Sequence, residues 1–112
     1  MQEPRKEVQE RRKDERYRYN LPVRWESLTE QGRGEICDLS ASGCFVLSAG
    51  NLKRNELVRL QIKFPDHMMY LWGKTVYNVT EMGFAVRFVF SEESEPRSVR
   101  KLIDRLQESE AG

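Results

Sequence analysis

At Tyr17 the chain turns from an almost wholly polar stretch to strict alternation. Tyr17, Tyr19, Leu21, Val23 and Trp25 are separated by Arg18, Asn20, Pro22 and Arg24. Successive strand residues point to opposite faces, so a period of two dictates a strand with one buried side. The pattern returns at Val58, Leu60, Ile62 and Phe64, and again at Phe84, Val86, Phe88 and Phe90. Met68 to Val79 is also strand-like, with Gly73 expected to mark a bulge or bend. Two shorter runs, Glu35–Cys37 and Cys44–Leu47, flank a turn expected over Asp38 to Gly43. Thr29–Gly34, Ser48–Asn55, Pro65-Asp66 and Thr80–Gly83 supply the remaining turn and loop signals. Pro22 has no N–H for a ladder, which points to an edge or a bulge. About six short strands at regular spacing predict a small barrel or sandwich.

The period changes at the C-terminal end. Val99, Leu102, Ile103 and Leu106 fall at i, i+3, i+4 and i+7, one face of an amphipathic helix expected over about 91–109. Ser91 or Ser94 suits its cap and Pro96 its first turn, and Glu92, Glu93 and Glu95 favour the positive end of its dipole. This stripe is expected to lie on the barrel.

A chain of 112 residues supports one modest core, here expected over 17–112. Its net charge of +1 gives no bulk attraction to nucleic acid or anionic membrane. No apolar run approaches the length of a membrane span, and the charged N-terminal stretch has no signal-peptide character. Two cysteines, Cys37 and Cys44, make no disulfide framework, so a cytoplasmic location is expected. Residues 1–16 hold one aliphatic side chain after Met1, Val8, and predict a flexible basic arm.

Two motifs carry chemistry. Arg12 and Arg16 form the one R-x-x-x-R of the chain, preceded by Arg11. Planar guanidinium forks suit phosphate and the O6/N7 edge of guanine, although most such runs are simply solvated charge. Asp38-x-Ser40-x-x-Gly43 is the second. Its plain reading is a side-chain-stabilised turn with Gly43 at positive φ. Its functional reading adds a carboxylate that accepts from guanine N1 and N2, a supporting hydroxyl, and a glycine that lets a base approach. Other candidates are weaker. His67 has no metal-ligand spacing, Cys37 and Cys44 suit a core, and Trp25, Tyr70 and Trp72 suit the core or its rim. No Ser-His or Cys-His constellation, metal set or phosphate loop is present, so no enzyme is expected.

With both motifs in this order, the chain resembles the PilZ family of cyclic di-GMP receptors. The resemblance runs from about Glu10 to Leu106 and includes Leu21-Pro22-Val23, the Gly83–Phe88 strand and the C-terminal helix. It implies an all-β fold, a six-stranded antiparallel barrel with one C-terminal helix. It implies that Arg12 and Arg16 bind guanine edges and phosphates, and that Asp38, Ser40 and Gly43 contact guanine. A basic residue at Arg11 implies a stacked cyclic di-GMP dimer as ligand. Where the family often carries tryptophan before the final hairpin, this chain has Tyr77; Arg87 is compatible with the site or with solvent. The expected partners are cyclic di-GMP and a downstream protein of unknown identity, with no cofactor, metal, membrane insertion or nucleic acid. Two rival readings remain: a PilZ-like adaptor that binds protein without nucleotide, and a small RNA- or DNA-binding barrel. Intact motifs argue against the first and the low net charge against the second.

Overall fold

The computed structural model describes residues 16–64, 67–90 and 94–111. Six strands are formed: β1 Tyr17–Glu26, β2 Gln31–Leu39, β3 Gly43–Leu47, β4 Leu57–Lys63, β5 Met68–Val79 and β6 Gly83–Phe88. One helix follows, α1 Ser94–Ala111. The strands close into an antiparallel barrel in the order β1-β2-β3-β6-β5-β4. This is the architecture the resemblance implies.

Inward positions fill the barrel. Leu21, Val23 and Trp25 of β1 meet Val58, Leu60 and Ile62 of β4, and Phe84 and Val86 of β6. Trp25 and Phe84 pack edge to face with centroids 5.1 Å apart. Val99, Leu102 and Ile103 are buried in the same cluster, so the apolar stripe of α1 extends the core. The only link between strands that are not neighbours runs from β3 to β4, and it is pinned from below. Trp25 Nε1 donates to Ser48 Oγ at 2.9 Å, and Asn78 Nδ2 donates to the carbonyls of Gly50 and Leu52 at 3.3 and 3.2 Å.

Several local expectations are corrected. The β1–β2 turn spans Ser27 to Glu30, and β2 begins at Gln31, inside the stretch read as a turn cluster. Gly32 belongs in that strand because a Cβ there would come within 2.8 Å of the Trp25 indole. Gly73 is no bulge; it pairs regularly with Val58 and Phe88. Pro22 lies within β1, one residue before the β1–β4 ladder begins at Val23, so its missing N–H costs no bond there. Asp38 is a strand residue rather than part of the turn. Tyr70 and Trp72 face outward, while Trp25 is core.

Three register shifts interrupt the ladders: between Arg18 and Leu21 on β1, between Ile36 and Asp38 on β2, and between Thr75 and Tyr77 on β5. Each inserts one extra residue and resets which side chains face out.

Buried Thr75 ties β5 to the Lys53–Glu56 turn. Its hydroxyl accepts from the Glu56 amide at 2.9 Å and donates to the Lys53 carbonyl. Thr75→Val conserves volume but strands both backbone groups. A loss of about 1–3 kcal/mol is expected, read as a lower urea midpoint at unchanged slope. An unshifted midpoint would show that solvent replaces these bonds.

Candidate functional site

The bulge on β2 decides where Asp38 points. Ile36 is buried, and strict alternation would put Asp38 inside the barrel with it. Cys37 is the extra residue: Ile36 pairs with Val46 while Asp38 pairs with Phe45. The carboxylate therefore turns to the outer face, and Leu39 returns to the core. The β5 bulge acts alike. Thr75 is buried, and one inserted residue turns Tyr77 outward opposite Ala85.

A single outward row results. Arg18 pairs with Asp38, Asp38 with Phe45, Phe45 with Ala85, and Ala85 with Tyr77. Directly paired residues share a face, so the row places a guanidinium, a carboxylate and two rings side by side. The Phe45 and Tyr77 rings lie 6.2 Å apart across small Ala85. One row over, Gly43 pairs with Arg87, and Arg87 with Lys74, both cations exposed. Arg87 thus faces outward beside the second motif.

Arg16 reaches this face from just before β1. Its Nη1 donates to Asp38 Oδ2 at 3.3 Å, bringing the two sequence motifs together. Both side chains are partly open to water, so the pair itself is weak. The other oxygen differs. Asp38 Oδ1 is enclosed and has no hydrogen-bond donor among the described residues. A charged acceptor is costly to keep without a donor. Arg11 and Arg12 lie outside the described residues, as does the expected arm apart from Arg16.

The remaining motif residues shape the turn. Ser40 is buried, and its hydroxyl accepts from the amides of Ser42 and Gly43 at 3.3 and 3.2 Å. The Ser40 amide donates to the Gly43 carbonyl at 2.9 Å, closing the hairpin. Gly43 does not take the positive φ expected of it; no glycine among the described residues does. Its lack of a Cβ matters for another reason: a Cβ would collide with the Val86 carbonyl of β6. Glycine lets β3 and β6 approach beside Asp38.

Acid–base and nucleophilic chemistry find little here. Burial, followed by the nearby Asp38 charge, raises the Cys37 thiol, and the same causes raise fully buried Cys44 further. Both stay protonated at neutral pH. His67, the sole histidine, stacks on Phe64 with centroids 4.7 Å apart. Among the described residues no group of three His, Cys, Asp or Glu could hold a metal, and no helix is long and apolar enough to cross a membrane. The site offers cations, an unmet acceptor and ring faces, which is equipment for binding.

Sequence reasoning passed over Arg18 and Phe45. The available signal was Ile36 and Leu39, apolar residues three apart in a strand, which imply a bulge between them and an outward Asp38 with its cross-strand neighbours.

A family model of the PilZ domain matches residues 10–107. Among solved structures, the chain is similar to the PilZ domain of CeSA from a cellulose-synthesizing bacterium. That match has 18% identity and a TM-score of 0.71, covering 82% of this chain and 97% of that one. It is also similar to the PilZ domain of YcgR from Escherichia coli, solved with c-di-GMP, at 14% identity and a TM-score of 0.75, covering 88% and 93%. The inhibitor of motility MotI/DgrA of Bacillus subtilis matches at 20% identity and a TM-score of 0.62, covering 84% of this chain and 50% of that one. The chain thus spans about half of that protein. No curated protein matches the sequence. Identities this low carry the fold alone, whereas the family match takes in nearly every element described above: the chain belongs to the PilZ domain family.

Proposed function

We propose that this chain is a cyclic di-GMP receptor module that signals to a protein partner and catalyses no reaction. One observation carries the reading: Oδ1 of Asp38 is enclosed and has no donor among the described residues, on an outer face rich in cations. Guanine presents adjacent N1 and N2 donors on one edge, which suit a carboxylate with one oxygen unmet. Its other edge presents O6 and N7 acceptors, which suit a guanidinium fork. Arg16 already lies 3.3 Å from Asp38 and is placed to take that edge or a phosphate. Family membership and the c-di-GMP bound to the YcgR domain support the same ligand.

In this reading Arg12 and Arg16 grip phosphates and guanine edges, and Asp38 holds a base. Ser40 and Gly43 fix the turn that presents Asp38. Ligand capture folds residues 1–16 against the Asp38–Gly43 face, the ordering cost being met by charge-assisted bonds. The closed arm is the changed surface that a partner in the cytoplasm reads. Arg11 supplies the extra cation for a second, stacked cyclic di-GMP.

Isothermal titration tests the ligand. Wild type binds cyclic di-GMP, and Arg12→Ala and Arg16→Ala each lose about ten-fold or more, the worth of one charge-assisted hydrogen bond. Unchanged affinity in both variants would remove the arm from the site.

Thermal melts separate binding from folding. Asp38→Ala weakens binding yet keeps its melting temperature, since it deletes an unmet acceptor and an exposed ion pair. Ser40→Ala loses about 1–2 kcal/mol of stability, because two turn amides lose their acceptor. If Asp38→Ala unfolds the domain, the carboxylate is a structural group.

Hydrogen exchange and stoichiometry test the arm. Amides of residues 11–16 gain protection on adding cyclic di-GMP, and wild type saturates at two ligands per chain. Arg11→Leu moves the ratio towards one. Saturation at one ligand for both proteins excludes the stacked dimer, and an arm left unprotected at saturation excludes capture.

A further inference from the structure

Away from the Asp38 row, the outer face of β4 and β5 leaves large side chains in water. Met68, Tyr70 and Trp72 project from alternate positions of β5 and are 42%, 46% and 41% exposed. Arg59 of β4 lies over the Tyr70 ring, 4.5 Å from its centroid, and pairs in register with Trp72. Trp, Tyr, Met and Arg are the residue types enriched where proteins dock, and an exposed cluster of them is a surface kept for contact.

The flank of this patch sets two like charges side by side. Arg24 of β1 and Arg33 of β2 stand directly opposite each other on the outer face. Like charges in that relation destabilise a sheet, and here no carboxylate pairs with either among the described residues. Glu26 is committed to Arg59 at 3.4 Å. A cleft of about 370 Å³ opens between Arg24, Glu26, Arg33, Arg59 and Gln61, and the one carboxylate in its lining is the Glu26 that Arg59 already holds.

We infer that this face docks an acidic surface of a partner protein. Aspartate or glutamate side chains enter the Arg24–Arg33 cleft, and apolar groups cover Tyr70 and Trp72. The charge selects the partner. A second copy meeting this face symmetrically would set the unpaired arginines against themselves. Single-stranded nucleic acid needs an unbroken cationic track, whereas here a carboxylate, Glu26, lines the same cleft as the arginines. The inference rests on the proposed function only for the existence of a protein partner, and it needs no bound nucleotide.

The test places the photo-reactive residue p-benzoylphenylalanine at position 70 of the full chain, with positions 81 and 104 as controls, and irradiates cells producing it. Position 70 is expected to yield a protein adduct whose cross-linked peptide is acidic, and the controls are not. Combining Arg24→Glu with Arg33→Glu, or introducing Trp72→Ala, lowers the adduct about ten-fold or more. The milder Arg24→Gln with Arg33→Gln serves if charge reversal lowers the melting temperature. Cyclic di-GMP affinity stays unchanged in all of these variants. An adduct with this same chain, with nucleic acid or with a basic segment overturns the inference. So does the absence of an adduct, or one indifferent to charge reversal. A chain that forms the acidic adduct yet binds no cyclic di-GMP sinks the nucleotide reading and leaves the docking face standing.

Discussion

The interior of this six-stranded barrel is filled by its own side chains, so an inward position is apolar or, like Thr75, has its polar atom hydrogen-bonded. Asp38, two residues after buried Ile36, would break that rule if β2 ran without interruption. Charge in such a core is too costly to keep. The inserted Cys37 resolves the conflict by turning Asp38 out and Leu39 in. The insertions on β1 and β5 fall on the same row, at Arg18 and Tyr77. The outward row of Arg18, Asp38, Phe45 and Tyr77 therefore lies where the barrel breaks its own alternation.

That geometry gives one carboxylate two environments. Oδ2 faces Arg16, a guanidinium largely in water. Oδ1 is enclosed beside the hairpin that Ser40 closes. The turn must hold its shape without help from a ligand, and the Ser40 hydroxyl and the close β3–β6 approach at Gly43 provide this.

Much of this was legible in the sequence because burial and period coincide. Along Leu21–Glu26, Val58–Lys63 and Phe84–Phe88 every second residue is a buried apolar one, so the alternation is explicit. The first half of β2 was hidden because Gln31, Gly32, Arg33 and Gly34 present no large apolar side chain; Trp25 supplies the bulk that Gly32 lacks. The sequence implies guanine contacts for Ser40 and Gly43; the contacts they make are within the hairpin, and the demand on Gly43 comes from β6, a strand over forty residues away. Pairwise relations such as Arg24 with Arg33 depend on register, and one chain's composition does not encode register. The exposure of Tyr70 and Trp72 escaped for the opposite reason: large aromatic residues resemble core until the facing strand is known.

Closure is unevenly shared along the strands. Each strand has a neighbour on both sides, β4 with β1 included, yet the β1–β4 ladder takes in only Val23–Glu26, so the first half of β1 keeps one side of its backbone outside that ladder. Over the paired stretches the amides and carbonyls are spent within the barrel, and there a substitution on the outer surface changes what the surface presents while leaving the hydrogen bonding that closes the fold untouched.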